Sequence, residues 1–259
     1  MDPVEQFEEE RRARLEAFGK DAGFRNLSRD WLEASMGRQY VYNFNWLGRP
    51  IIQYPQDIMA MQELIWRVRP DLIIETGIAH GGSIVMSASM LALLDYADAL
   101  AEGRMLDPAA PRRKVIGVDI DIRAHNRALI EAHPMANRIG MIEGSSVAPD
   151  VVDQVRQAAR GHERVMVCLD SMHTHDHVVQ ELEAYAPLVS VGSYCVVFDT
   201  FVEDMPKGFF KDRPWDPGDN PKTAVREYLK THPEFEIDRQ MDDQLQISVA
   251  PEGFLKRVR

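Results

Sequence analysis

A chain of 259 residues with 45% hydrophobic content has ample material for one large α/β domain and is too apolar to be disordered. Its formal net charge of −11 argues against a nucleic-acid partner, because a phosphate-binding surface needs a basic face. Residues 1–20 are rich in Glu and Arg and lack the apolar stretch of a leader peptide, no run approaches the roughly 18 apolar residues of a membrane span, and the two cysteines, Cys168 and Cys195, fall in apolar runs as buried thiols; the expected compartment is the cytoplasm, with no membrane span.

Residues 3–20 read as a charged helix with a thin apolar stripe of Val4, Phe7, Leu15 and Phe18. So narrow a stripe has to pack on the body or on a second subunit, and a homo-oligomer is expected. Residues 40–57 form a loop rich in aromatic and amide side chains, from Tyr40 to Asp57. The organisation expected is therefore an N-terminal helical and aromatic-loop extension over 1–57 and a main domain over 58–259. The main domain opens with an amphipathic helix at Ile58–Val68.

From Asp71 the pattern alternates strand and helix. Strands are predicted at 71–76, 114–119, 138–142, 164–169 and 193–198, with helices at about 82–103, 123–133, 149–160 and 176–189. A helix at 222–231 is followed by strands at Glu234–Arg239 and Gln244–Ala250 around a turn at Met241-Asp242-Asp243. Five strands joined by helical crossovers require a parallel sheet covered on both faces. The final hairpin adds antiparallel pairing, which gives a Rossmann-like, seven-stranded α/β sheet.

The stretch Asp-Leu-Ile-Ile-Glu-Thr-Gly-Ile-Ala-His-Gly-Gly-Ser at 71–83 ends a strand in a glycine-rich turn and opens a helix. Such a turn aims free backbone N–H groups and the positive end of a helix dipole at a ligand. A dinucleotide fingerprint needs G-x-G-x-x-G with an acid about 20 residues on. Here the glycines read G-x-x-x-G-G, and the next strand ending in an acid closes only at Asp119. Glu75, ahead of the first glycine, suits an ammonium better than a second phosphate. S-adenosylmethionine (SAM), with its ammonium, carboxylate and sulfonium, matches that mixture of charges better than NAD; simple helix–strand packing is the other use of such a turn.

Ligands of open α/β sheets gather at the carboxyl ends of the strands, which here are Glu75, Asp119, Gly144-Ser145-Ser146, Asp170 and Asp199. Asp119 is placed to accept both ribose hydroxyls, or to cap the next helix, a role open to Asp121 as well. Ser145 and Ser146 suit the adenine edge, or a cap before Ala148-Pro149. Asp170 and Asp199, with no adjacent Arg or Lys, call for a cation or a proton between them, and oxygen ligands of this kind suit Mg²⁺; each alternatively caps the segment that follows it. His173, three residues after Asp170, is close enough to act as base on a substrate hydroxyl, or lies at the surface. The trio His173, His175 and His177 does not make a zinc site, because i and i+2 face apart on a helix and no cysteine joins them.

The order Glu75-x-Gly77-x-x-x-Gly81-x-Ser83, Asp119, Gly144-Ser145-Ser146, Leu169-Asp170 and Asp199 resembles the core of metal-dependent catechol O-methyltransferases. More closely, Glu-Thr-Gly-x-Ala-His-Gly-Gly-Ser, Leu-Asp-Ser-x-His-Thr-His-x-His-Val and Gly-Asp-Asn-Pro-Lys-Thr-Ala-Val (218–225) resemble the cephalosporin-hydroxylase-like family, which includes rhamnosyl and other sugar O-methyltransferases. The similarity runs from about Trp46 to Leu255. It implies the class I SAM-dependent methyltransferase fold and SAM contacts from Glu75, Thr76, Gly77, His80, Gly81, Gly82, Ser83, Asp119, Ser145, Ser146 and Asp170. It further implies Mg²⁺ at Asp170 and Asp199, catalytic roles for His173 and Asp170, and a small sugar or glycoside acceptor. Phe198 stands where some relatives place an acid, and Thr200 where the catechol-type enzymes have Asn, so Thr200 Oγ or water is expected to supply a further metal contact. His173 holds the spacing of the catechol-type Lys that serves as base. The loop 40–57 and the segment Met205–Asn220 are expected around the acceptor. An NAD(P)-dependent oxidoreductase and a SAM-binding, non-catalytic partner of a biosynthetic complex are the competing functions.

Overall fold

The computed structural model describes residues 2–259. Two helices open it, α1 (Pro3–Lys20) and α2 (Ala22–Met36), capped by the Asp2 and Asp21 side chains on the Val4 and Phe24 N–H groups. A short hairpin follows, β1 (Phe44–Trp46) with β2 (Arg49–Ile51), and then α3 (Pro55–Val68). Leu32, Val41, Ile51 and Tyr54 belong to the same buried cluster as Leu64 and Leu91, so the core runs without a break across residue 57.

The main sheet is built from β3 (Leu72–Thr76), β4 (Lys114–Asp119), β5 (Ile139–Glu143), β6 (Val165–Leu169), β7 (Tyr194–Val197), β8 (Phe235–Ile237) and β9 (Phe254–Arg257). Between them lie α4 (Gly82–Glu102), α5 (Ala124–Glu131), α6 (Pro149–Ala158), α7 (His175–Tyr185), α8 (Pro221–Tyr228) and α9 (Arg239–Leu245). The strand order is β5-β4-β3-β6-β7-β9-β8, with β9 antiparallel to both neighbours and the pairs from β5 to β7 parallel. One apolar cluster lies on each face, the first against α3 and α4, the second against α6, α7 and α8. Burial on both faces explains why β3, β6 and β7 read as unbroken apolar runs rather than alternating ones.

Register fixes where the strand ends fall. Thr76 pairs with Val118 on one side and Leu169 on the other, so Gly77, Asp119 and Asp170 leave the sheet at one level. Leu169 pairs with Val197, which puts Phe198 opposite Asp170 and Asp199 one residue beyond. The chain moves outward from β3 to β4 and β5, then returns to β6 on the other side. The gap between the ends of β3 and β6 is thus the switch point at which doubly wound sheets bind their ligands.

The C-terminal hairpin differs from the pattern expected at Gln244–Ala250. Residues 239–245 are helical, burying Met241 and Leu245 one turn apart, and the strand that pairs with β7 is Phe254–Arg257. The alternation Leu245, Ile247, Val249 imitates a strand, but this backbone is claimed elsewhere: the Asp57 carboxylate accepts from Ser248 Oγ at 2.5 Å and from Val249 N–H at 3.0 Å. Among the described residues one helix, α4, is long and apolar enough to cross a bilayer, and most of it is buried against the sheet.

A Cβ at Gly82 would overlap the Pro50 carbonyl of β2, whereas one at Gly140 in β5 would meet only ordinary contacts at 3.8 and 3.9 Å. Gly82→Ala should therefore destabilise the protein by about 1–3 kcal/mol through overpacking, and Gly140→Ala should be neutral or slightly stabilising. Urea unfolding of the two variants checks this; equal stability would mean that β2 yields freely around the glycine-rich turn.

Candidate active site

The turn after β3 is held from two sides. Asp119 accepts from the N–H groups of Ile78 and Ala79 at 2.8 and 3.1 Å, and from Asp121 N–H at 3.1 Å. Behind the turn, buried Arg49 donates twice to the His80 carbonyl and once to Asn126, whose amide donates to the Ala79 carbonyl. Asp119 and Asp121 do not cap α5, which begins at Ala124 after Arg123. The glycines make room for protein backbone: a Cβ at Gly77, where φ is +90°, would overlap the Asp170 carbonyl oxygen. Close packing, one of the two uses read from the sequence, thus accounts for Gly77 and Gly82.

Glu75 is buried and accepts from Ser83 Oγ. Burial pushes its carboxyl up to about 7 from 4.5, against the lowering effect of the Ser83 hydrogen bond. Asp57 nearby is pushed up to about 7 by burial as well, despite hydrogen bonds from Ser248 and Val249. Thr76 is fully buried at the strand end, where its Oγ1 lies 3.4 Å from Asp170 N–H.

The chemically dense point is the end of β6 and β7. One ligand atom each of Asp170, His173 and Asp199 lies within 4.8 Å of the others. His173 Nε2 is 2.8 Å from Asp199 Oδ2, and its ring meets Trp215 edge-on at 4.6 Å between centroids. Asp199 reaches this position from a left-handed backbone, φ 56°, unusual for a residue other than glycine and frequent at functional sites. Burial, and next the charge of Asp199, hold the Asp170 carboxyl well above the ordinary carboxylate range. Gln53 Nε2 donates to Asp170 Oδ2 at 3.2 Å. Two facing carboxylates with one imidazole form a donor set for a divalent cation, and the oxygen pair in particular suits Mg²⁺.

These groups line a cleft of about 630 Å³ that also takes in Gly77, His80, Gly82 and Ser83. Its size is ordinary for a small-molecule site. Residues from 36–42 and 50–53 form one wall, and Phe209, Phe210, Arg213 and Trp215 form another.

Two expected residues, Ser146 and Thr200, engage their hydroxyls inside the protein. Ser146 is buried with its hydroxyl 3.0 Å from His177 Nε2, and its carbonyl accepts from Tyr185. The Ser145 carbonyl accepts from Ala148 N–H, and neither serine caps α6, whose N-cap is Ala148. Thr200 is fully buried and donates to the Pro251 carbonyl at 2.7 Å. The further metal contact expected from Thr200 is therefore not offered by its hydroxyl, which is turned into the protein. His175 and His177 also leave the cleft, for Thr223 and for Ser146 with Ser171. Sequence reading missed Arg49, Asn126 and Gln53; each acts through a contact between distant segments and carries no local motif.

A seven-stranded sheet with this order, a glycine-rich turn at its switch point and an acidic cluster beside it define the class I methyltransferase architecture. Residues 38–258 match the family model described as Rhamnosyl O-methyltransferase/CmcI, and the chain belongs to that family of O-methyltransferases. It is similar to the rhamnosyl O-methyltransferase of Mycobacterium bovis, at 27% identity over 208 residues covering 78% of this chain and 73% of the relative. Its similarity to the Mycobacterium leprae rhamnosyl O-methyltransferase is 27% over 225 residues, covering 84% and 85%. Among solved structures, CmcI with Mg and SAM superposes at TM-score 0.55 and 18% identity over 84% of this chain and 78% of that one. The CmcI apo-structure gives 0.56 and 20%, over 84% and 77%. Family membership sets aside the dinucleotide-dependent oxidoreductase.

The raised carboxyls have a consequence for stability. Glu75 keeps its proton in the folded state up to about 7, whereas an unfolded carboxyl near 4.5 releases it earlier. Between those values the native state binds more protons, so stability falls as pH rises. Glu75→Gln, which keeps an acceptor for Ser83, should reduce the loss of melting temperature between pH 5 and pH 8, with Asp57, Asp170 and Asp242, whose carboxyls burial also raises, contributing to the remainder. An unchanged slope would show that Glu75 ionises normally inside the protein.

Proposed function

We propose that the protein transfers the methyl group of SAM to a hydroxyl of a sugar or glycosylated small molecule, with Mg²⁺ as the metal. The observation that carries this reading is the meeting of Asp170, His173 and Asp199 on the wall of one cleft with the glycine-rich turn. The rhamnosyl O-methyltransferase name of the mycobacterial relatives supports a sugar acceptor.

SAM fits the switch point. Asp119, which braces the turn, would take the ribose hydroxyls, the N–H groups of Gly81–Ser83 at the start of α4 would take the carboxylate, and buried Glu75 would take the ammonium. Asp170 and Asp199 would hold Mg²⁺, which supplies positive charge beside the acceptor hydroxyl and SAM an electrophilic methyl group. His173 takes the hydroxyl proton as the oxygen–methyl bond forms and the carbon–sulfur bond breaks. Asp199 and Trp215 hold its ring in place for that transfer. The aromatic wall of Phe209, Phe210 and Trp215 suits the apolar face of a sugar ring and keeps water from the reacting atoms. A catalytic role is favoured over a silent binding partner because the base and both carboxylates already stand within reach of one another.

Methyl transfer to a panel of nucleotide sugars and glycosides, read as S-adenosylhomocysteine release and product mass, is the direct test. Chelation should abolish turnover and Mg²⁺ restore it, while Asp170→Asn and Asp199→Asn should lose that rescue and still bind SAM. His173→Ala should lower turnover by roughly 10²–10⁴-fold, the range for a lost general base, with SAM affinity little changed. Full turnover in excess chelator would remove the metal from the reaction.

In calorimetry, Asp119→Ala should weaken SAM binding by about 1.5–3 kcal/mol, the scale for hydrogen bonds to a charged acceptor. Unchanged affinity in the folded variant would leave Asp119 as a brace for the turn alone.

A further inference from the structure

The segment Gly218–Thr223 lies outside the cluster it influences. Asp170 and His173 stand on the connection from β6 to α7, and Asp199 stands at the start of the turn Thr200–Asp204 that follows β7. Each of these connections is fixed at its near end by the sheet. At the far end both are tied to the same six residues.

On the first connection, the Asp219 carboxylate accepts from the N–H of His175, the first residue of α7, at 2.7 Å. Thr223 Oγ1 lies 2.8 Å from the His175 ring Nδ1. On the second, the Glu203 carboxylate accepts from Gly218 N–H at 2.7 Å and from the Asn220 side-chain amide at 2.5 Å, and Lys222 pairs with Asp204. Asn220 and Lys222 are buried, so their contacts with Glu203 and Asp204 are partly shielded from solvent, whereas those of Gly218 and Asp219 are exposed. The segment is itself rigid: Asn220 accepts from the N–H groups of Lys222 and Thr223, and Thr223 closes a reciprocal capping box at the start of α8.

The structure assigns to residues 218–223 the role of a two-armed clamp that sets the distance between Asp170 with His173 on one connection and Asp199 on the other. Asp219, Asn220, Lys222 and Thr223 are positioning residues. They touch neither the cation nor substrate, and they act by fixing the far ends of two connections whose near ends the sheet already fixes. Asp199 needs such support because its left-handed backbone is not self-sustaining. This inference rests on the metal site proposed above.

Mn²⁺ uptake by the full chain, followed by loss of the free-ion electron paramagnetic resonance signal, tests it without recourse to activity. Partners that orient metal ligands change affinity by about 10–100-fold when removed. Asp219→Ala, at an exposed position, removes the main-chain tie of the first arm, and Glu203→Ala removes the Gly218 and Asn220 ties of the second; each should raise the Mn²⁺ dissociation constant by about tenfold or more. Both should remain folded by circular dichroism at the measuring temperature. Asp219→Asn retains an oxygen for the His175 N–H and should keep the parent's affinity, which a purely electrostatic role for Asp219 would not allow. The clamp is overturned if the parent binds Mn²⁺, Asp170→Asn does not, and both alanine variants bind as the parent does. If neither the parent nor Asp170→Asn takes up Mn²⁺, the metal site falls and the clamp with it.

Discussion

In-register parallel pairing of β3 with β4 and of β3 with β6 holds Thr76, Val118 and Leu169 at one level, and everything chemically useful in this chain follows from that alignment. Residues more than 90 positions apart in sequence, Gly77 and Asp170 among them, are delivered to one edge of the sheet without any local signal bringing them together. The same alignment makes the glycine at 77 obligatory, because its missing Cβ is where the Asp170 carbonyl passes. A one-residue slip would exchange the residues that β3 and β6 give to the two apolar clusters, so the packing of these clusters on both faces also holds the site in register.

Around this edge the protein concentrates carboxyl groups in surroundings that do not favour their charge. Asp57, Glu75 and Asp170 all have their acidity weakened chiefly by burial, and Asp170 additionally by Asp199. Hydrogen bonds from Ser248 and Val249 to Asp57, from Ser83 to Glu75 and from Gln53 to Asp170 only partly offset that burden. Such an arrangement is unfavourable for stability and is the physical counterpart of a site poised for positive charge. Around it, Arg49, Asn126 and the 218–223 segment restrain the connections so that the carboxyls cannot relax apart.

The three histidines in Ser-Met-His-Thr-His-Asp-His show how finely the connection is used. Only His173 precedes the first turn of α7, and only it reaches the cleft. His175, at the first helical position, turns to Thr223 and Glu227, and His177 turns to Ser146 and Ser171. Helical geometry distributes them, since residues two apart on a helix face different directions.

Sequence alone determined the alternating strands and helices from Asp71 onward, the parallel sheet, and the strand-end acids Glu75, Asp119, Asp170 and Asp199, because buried parallel strands and glycine-rich turns leave continuous local patterns. The family was legible too, in the contiguous motifs at 75–83, 169–178 and 218–225. Local pattern failed at 244–250, where alternating apolar residues imitate a strand while Asp57 takes the backbone. Nor does local pattern reveal that the Thr200 and Ser146 hydroxyls meet partners inside the protein. Only the tertiary structure decided that His173 faces Asp199, that Gln53 meets Asp170 and that one segment near the C-terminus ties down two distant connections. Those contacts join residues 15 to 117 positions apart, from Glu203 with Gly218 to Gln53 with Asp170; register and packing set them, and no neighbouring residue in the chain records them.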